Sequence, residues 1–287
     1  MTRLVSRTAV LTAIAMIAFA ANSVLARLAL AHGQIDALSF TGARLASGAA
    51  ALALILSRSR SAASRQGFGG SWRGAAALLA YALAFSLAYL MIGAATGALI
   101  LFASVQIGML AWAALKGERL GVLEWSGNAI ALAALGFLVS PGLVAPPALG
   151  AGLMVVSGLS WAAYSLLGRG SRNPLADTAG NFIRCAPVAI ALFILGAVQH
   201  PISWTGLAYA ICSGALASGL GYAIWYAALA NLSRHGAAVV QLSVPVIAAA
   251  AGVLLLAEPL SDRLIISSVG VIGGMALAIA AARWRKA

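Results

Sequence analysis

The chain has 287 residues, of which 62% are hydrophobic and only 8% charged, where a soluble domain would carry about a quarter. The mean hydropathy is +0.99, so an integral membrane protein is expected. Eighteen Lys and Arg against six Asp and Glu give a net charge of +12. The bases stand between apolar runs, which points to positive-inside topology and away from nucleic acid as a partner.

About 20 apolar residues cross the hydrocarbon of a bilayer. By that measure ten spans are expected, near 8–30, 37–56, 72–92, 95–115, 121–140, 148–168, 178–198, 203–230, 235–257 and 261–282. The first resembles a secretory signal, with Arg3 and Arg7 before an apolar core and Ala29-Leu30-Ala31 after it. It has a counterpart later in the chain, so a retained helix is expected instead. The one long connection is Ser57–Trp72, rich in Ser, Arg and Gly. With the amino terminus in the cytoplasm, fourteen Lys and Arg fall inside and only Arg27 and Arg263 outside; Arg44 and Arg184 lie within spans. Both termini are therefore expected in the cytoplasm. Cys185 and Cys212 sit in apolar runs and suggest no disulfide framework.

The chain repeats itself. Phe19-Ala-Ala-Asn22-Ser23 with Arg27 and Arg44 resembles Trp161-Ala-Ala-Tyr164-Ser165 with Arg169 and Arg184, at offsets of 142 and then 140 residues. Glu118 and Leu120 match Glu258 and Leu260 at the second offset. Two five-helix halves follow, 1–144 and 145–287. Five is odd, so the second half enters the membrane from the opposite side. The expected fold is an all-α integral membrane protein of two inverted repeats, the architecture of alternating-access carriers.

Few side chains within the spans can handle a polar substrate. Tyr81, Phe85 and Tyr89 fall at i, i+4 and i+8 on one face of the third span. The sixth span carries Trp161 and Tyr164, and the eighth Tyr222, Trp225 and Tyr226. These aromatics either wall a cavity or sit in interfacial belts; Trp72, Trp204 and Trp284, at span ends, read as belt anchors. Gln106, Gln241 and Asn22 are either cavity contacts or amides bonding between helices. Arg44 and Arg184 either snorkel to the interface or serve function. The topology suggests latches between the halves, Arg44 with Glu258 on the outer face and Arg184 with Glu118 on the inner one; Arg27 and Arg169 are rival partners. Gly214, Gly219 and Gly221 soften the eighth span, or simply pack closely. Pro187 and Pro245 interrupt the seventh and ninth, and Pro245 is the expected hinge.

All six acids lie at span ends or in loops, so no midplane carboxylate offers a proton relay or a site for a cationic drug. No Gly-x4-Gly-Lys-Ser/Thr loop or His-Glu-x-x-His pair occurs, so neither ATP drive nor metal catalysis is expected, and no cofactor. A small-molecule substrate and the lipid bilayer are the expected partners, and the oligomeric state is not legible.

The doubled aromatic-Ala-Ala-x-Ser, the arginine in each second helix and the doubled Gly/Ala-Glu-x-Leu resemble the EamA-type carriers of the drug/metabolite transporter superfamily. The resemblance spans nearly the whole chain, with Val105 departing from the proline seen at Pro245. Trp161-Ala-Ala-Tyr164 is also similar to the YddG-like exporters of aromatic amino acids. The resemblance implies export of amino acids or related metabolites across a bacterial inner membrane. Facilitated diffusion is then the expected mode. A proton-coupled drug carrier or a nucleotide-sugar carrier of the same fold is the alternative, ahead of a channel or a membrane enzyme.

Overall fold

The computed structural model describes the backbone of residues 2–58, 68–117, 121–140, 145–168, 171–229, 232 and 240–284. Within these, the side chains of 2–6, 110, 113–114, 139, 226, 229 and 282–284 are left out of the description. The described residues are helical throughout their ordered elements. In order they form α1 (Thr2–Leu30), α2 (Ala37–Arg58), α3 (Trp72–Tyr89), α4 (Ala94–Leu115), α5 (Val122–Val139), α6 (Ala148–Leu167) and α7 (Pro174–Gln199). Then come α8 (Trp204–Ile211), a π-helical stretch (Cys212–Leu220), α9 (Gly221–Leu229), α10 (Ser243–Leu256) and α11 (Asp262–Trp284). Because α8, the π-helix and α9 run on without a break, they make one passage, the expected eighth; α10 and α11 are the ninth and tenth. Six of the passages are long and apolar enough to cross a membrane.

Local chemistry sets several helix starts. Ser71 accepts a bond from Gly74 N–H at the head of α3, and Ser203 does the same for Gly206 at the head of α8. Asn173 caps α7 through Ala176 N–H, with Pro174 in the first turn, where a missing N–H costs nothing. Pro245 stands in the first turn of α10, which begins at Ser243. Val240 and Gln241 before it are also helical, and Leu242, between them and α10, is a turn. The helical ladder thus breaks beside Pro245 as expected: proline has no N–H to give to Gln241 and crowds that carbonyl.

The bundle is assembled from pairs. α2 packs along α7, α5 along α11, α6 against both α3 and α4, and α1 against α9, the π-helix and α10. Small residues allow backbones to meet, as they do between helices in lipid. A Cβ on Gly127 of α5 would lie 2.6 Å from the Gly274 carbonyl of α11. One on Gly48 of α2 would lie 2.6 Å from the Phe182 ring of α7. Outward positions are apolar and bare: Val198 and Leu254 are each 81% exposed, tolerable only against lipid. Trp72 and Trp204, at helix starts, are also largely exposed, as interfacial anchors would be.

Candidate functional site

The aromatic side chains on α3, α6 and α9 come together near the middle of the bundle. Trp161 is the hub. Its ring centroid lies 4.8 Å from that of Tyr81 and 5.4 Å from those of Tyr164 and Tyr222. Phe19 of α1 meets Tyr222 and Trp225 edge-on, each at 5.8 Å. Tyr81, Tyr164 and Tyr222 are buried, while Trp161, Phe19 and Trp225 keep some open surface. On the far side of Tyr81 the series continues through Phe85 to Tyr89, whose rings are 4.6 Å apart and nearly perpendicular.

Arg44 of α2 closes this cluster from behind. Its side chain is buried, and its Nη2 donates to the Tyr81 hydroxyl at 2.9 Å. The guanidinium carbon lies 4.6 Å from the centre of the Phe85 ring and 5.2 Å from that of Tyr81. Such cation–π contacts attract by roughly 0.5–2 kcal/mol each.

At the carboxyl end of α1 a second assembly ties four elements together. Arg27 Nε donates to Glu258 Oε1 at 3.3 Å, and Arg27 Nη1 to the Tyr89 carbonyl at 3.0 Å. The Glu258 carboxylate also accepts the Ala94 N–H, at 2.9 and 2.8 Å, and so caps α4 from across the bundle. Each charge meets the helix end that suits it: cation at the carboxyl ends of α1 and α3, anion at the amino end of α4. Glu258 reaches α4 because the preceding Ala257 turns the chain at φ 51°, a left-handed conformation that ends α10.

Toward the opposite end of the same two helices the described residues leave a gap. A cavity of about 730 Å³ lies between the Thr8–Ile17 face of α1 and Val240, Ser243 and Ile247. Ligand sites of small molecules fall in this size range. Along α1 the order is therefore open groove, Phe19 on the aromatic cluster, Asn22, and the Arg27–Glu258 tie.

With this geometry the comparisons with known proteins agree. The EamA-like transporter family matches residues 148–280. An uncharacterized protein of Pseudomonas aeruginosa, PA1977, is 53% identical over 274 residues, which are 96% of this chain and 95% of that one. The chain belongs to the EamA-like transporter family. As a member of that family it is a multi-pass membrane transporter of the drug/metabolite superfamily, and members of this family are not enzymes. A solved crystal structure superposes with a TM-score of 0.63 at 19% identity, over 96% of this chain and 98% of the other, which shows the shared fold.

Within this EamA-like fold the expected site residues separate. Tyr81, Trp161, Tyr164 and Tyr222 are brought into one cluster; Tyr89 adjoins it through Phe85. Tyr226 has its backbone on α9, but its side chain lies outside the described residues. Asn22 bonds between helices: its Oδ1 accepts Ser213 Oγ at 2.9 Å and Ser218 Oγ at 3.4 Å, both on the π-helix. Gln106 is half-buried on α4, and Gln241 half-buried just before α10.

One of the two expected latches needs correction. Glu258 pairs with Arg27 rather than Arg44. Arg44 sits about two turns inside α2 and faces the rings of α3, whereas Glu258 lies at the bundle end. Arg184 donates to the Gly69 carbonyl at 2.5 Å, joining α7 to the segment before α3; its expected partner Glu118, and Arg169, lie outside the described residues. That junction carries residues the sequence did not single out. Asp177 accepts Gly70 N–H and Asn181 accepts Ser71 N–H, each at 2.8 Å. The signal available for them was the capped start of α7 at Asn173-Pro174, which fixes both carboxylate and amide at the helix head.

Proposed function

We infer that this transporter exports amino acids, aromatic ones among them, or closely related metabolites across a bacterial inner membrane, by alternating access between two inverted five-helix repeats. The observation that carries the reading is the aromatic cluster around Trp161, lying between a tied end and an open groove on the same pair of helices.

The helix pairings support the inverted repeat. Adding five to each passage turns α1 with α10 into α6 with α4, and α3 with α6 into the eighth passage with α1; all four contacts occur. Both halves also end their fourth helix in the same way, with Gly117 at φ 77° and Ala257 at φ 51°, each just before a glutamate. On the positive-inside orientation the Arg27–Glu258 tie is the outer gate and the groove opens to the cytoplasm. The described state is then inward-facing. Arg169 and Glu118, the sequence counterparts of Arg27 and Glu258, are the pair to close the inner face in the opposite state.

No acid of this sequence lies at mid-span, so the reading is of facilitated flux down the substrate gradient. Counterflow of labelled phenylalanine, threonine and methionine into proteoliposomes tests it. Saturable exchange is expected, unchanged when a pH gradient is imposed. Absence of uptake for every amino acid would refute amino-acid export, and flux that scaled with the pH gradient would refute facilitation.

A further inference from the structure

Arg44 poses a problem that the fold alone does not solve. It is 2% exposed and is the largest fully buried side chain among the described residues. Nη2 has Tyr81, and the flat faces of the guanidinium have Phe85 and Tyr81, but Nη1 is buried with no hydrogen-bond partner among the described residues. The single ion pair among the described residues is Arg27–Glu258, so Arg44 has no carboxylate beside it. A buried guanidinium lacking an anion is costly, and the penalty grows with the depth of burial. Tyr81 is half-used as well: it accepts from Arg44, and its own hydroxyl proton has no acceptor among the described residues.

Two donors, one of them a cation, thus converge beside the Tyr81–Trp161 contact and await an acceptor. A carboxylate is the group that a guanidinium fork binds best, through charge-assisted and often paired bonds. The rings of Trp161 and Tyr222, on the other side of Tyr81, present π faces that suit an ammonium group or an aromatic side chain.

We propose that Arg44 Nη1 and the Tyr81 hydroxyl are the carboxylate anchor of the substrate, and that the cargo of this carrier is therefore a carboxylate-bearing compound and not an amine. In the described state the anchor is covered, and displacement of the Tyr81–Trp161 contact admits the cargo. This makes Arg44 a binding residue rather than a latch. The inference rests on the export reading for the amino-acid class of cargo only; the need for a carboxylate stands on the arginine itself.

The test uses the full chain, purified in detergent and followed by thermal unfolding, with four probes: phenylalanine, phenylpropionate, phenethylamine and phenylalanine methyl ester. The wild type is expected to be stabilised by the two carboxylates and not by the amine or the ester. Arg44→Gln is expected to lose that stabilisation. Arg44→Lys keeps the charge without the fork and weakens binding about tenfold, as does Tyr81→Phe, so the test survives if Arg44→Gln does not fold. Phenethylamine stabilising the wild type as well as phenylalanine does would overturn the anchor. So would undiminished phenylalanine binding in both Arg44→Lys and Tyr81→Phe, or no response of the wild type to either carboxylate. Counterflow separates the two readings. Carboxylate binding without transport of any amino acid sinks the export reading and leaves the anchor. Transport of phenylalanine with unchanged KM in Arg44→Lys and Tyr81→Phe sinks the anchor and leaves export.

Discussion

Two interfaces of this bundle, which stand in corresponding places in the proposed repeat, differ in how closely their helices approach. α6 lies hard against α4. A Cβ on Gly158 would come within 2.6 Å of both the Leu101 carbonyl and Ser104 Cβ, and one on Gly108 within 2.9 Å of Ala162 Cβ. α1 meets α10 only over part of its length, through Met16 and Ala20 against Val244 and Ala248, and leaves the 730 Å³ groove beyond. At the offset of 142 that aligns the two aromatic-Ala-Ala motifs, Gly158 corresponds to Met16. A glycine lets two backbones touch; a methionine side chain fills the same place and keeps them apart. The difference teaches that one residue volume at matched positions can set how closely two helices approach, and on the proposed two-repeat reading such inequality is what lets a carrier open on one side at a time.

The most drastic way to break the comparison is to fill the tight side. Gly158→Leu forces a side chain into backbone contact, and overpacking of this kind costs about 1–3 kcal/mol or more. Counterflow is expected to be lost and the unfolding midpoint to fall; transport at the wild-type rate would mean that the α4–α6 contact does not need its closeness. Spin labels offer a gentler probe on a cysteine-free background. A pair at Ala13→Cys and Ile247→Cys across the groove should give a longer and broader distance distribution than a pair at Val155→Cys and Ile107→Cys across the tight interface. Added substrate should shift the two in opposite directions.

Next in size is the tie at the far end of α1 and α10. Arg27 and Glu258 are 23% and 15% exposed, so solvent weakens the pair, but the carboxylate also holds the Ala94 N–H. Charge-assisted bonds of this kind contribute about 1.5–3 kcal/mol. Glu258→Ala should therefore raise the open population of this end about tenfold or more. The readout is maleimide labelling of Ile92→Cys, a position only 2% exposed behind the tie. Arg27→Ala should do nearly the same, and the double variant little more than either. Additive effects would show that the two side chains act separately.

The spans were legible because lipid imposes them. Apolar length is a one-dimensional signal, and the helices fall where that signal lies. The aromatic cluster was legible in part, since i, i+4 spacing puts Tyr81, Phe85 and Tyr89 on one face whatever that face meets. Partnership was not. Arg44 and Arg27 were both candidates for Glu258, and the choice depends on how far along α2 a residue sits relative to the end of α10, which spacing within one helix does not reveal. The π-helix was also hidden, and its Ser213 and Ser218 bond to Asn22, 191 and 196 residues away, a partnership that spacing along the chain does not reveal.

The smallest expected effect concerns the stops that end α4 and α10. Both need a residue in the left-handed region, Gly117 at φ 77° and Ala257 at φ 51°, so that the chain can turn and present the next glutamate. Glycine adopts that conformation freely, whereas an L-residue with a Cβ gives up about 1 kcal/mol there. Ala257→Gly should thus raise the unfolding midpoint slightly, by about 2–4 °C, and Gly117→Ala should lower it by a similar amount, there being open space around Gly117 so that strain alone is measured. The same strain at Ala257 holds Glu258 against α4, and glycine lets the turn relax away from it. Ala257→Gly is therefore expected to be the more stable protein with the looser tie, labelling faster at Ile92→Cys than the wild type. Greater stability with slower labelling would show that the left-handed turn is an ordinary helix stop and has no part in holding that end shut.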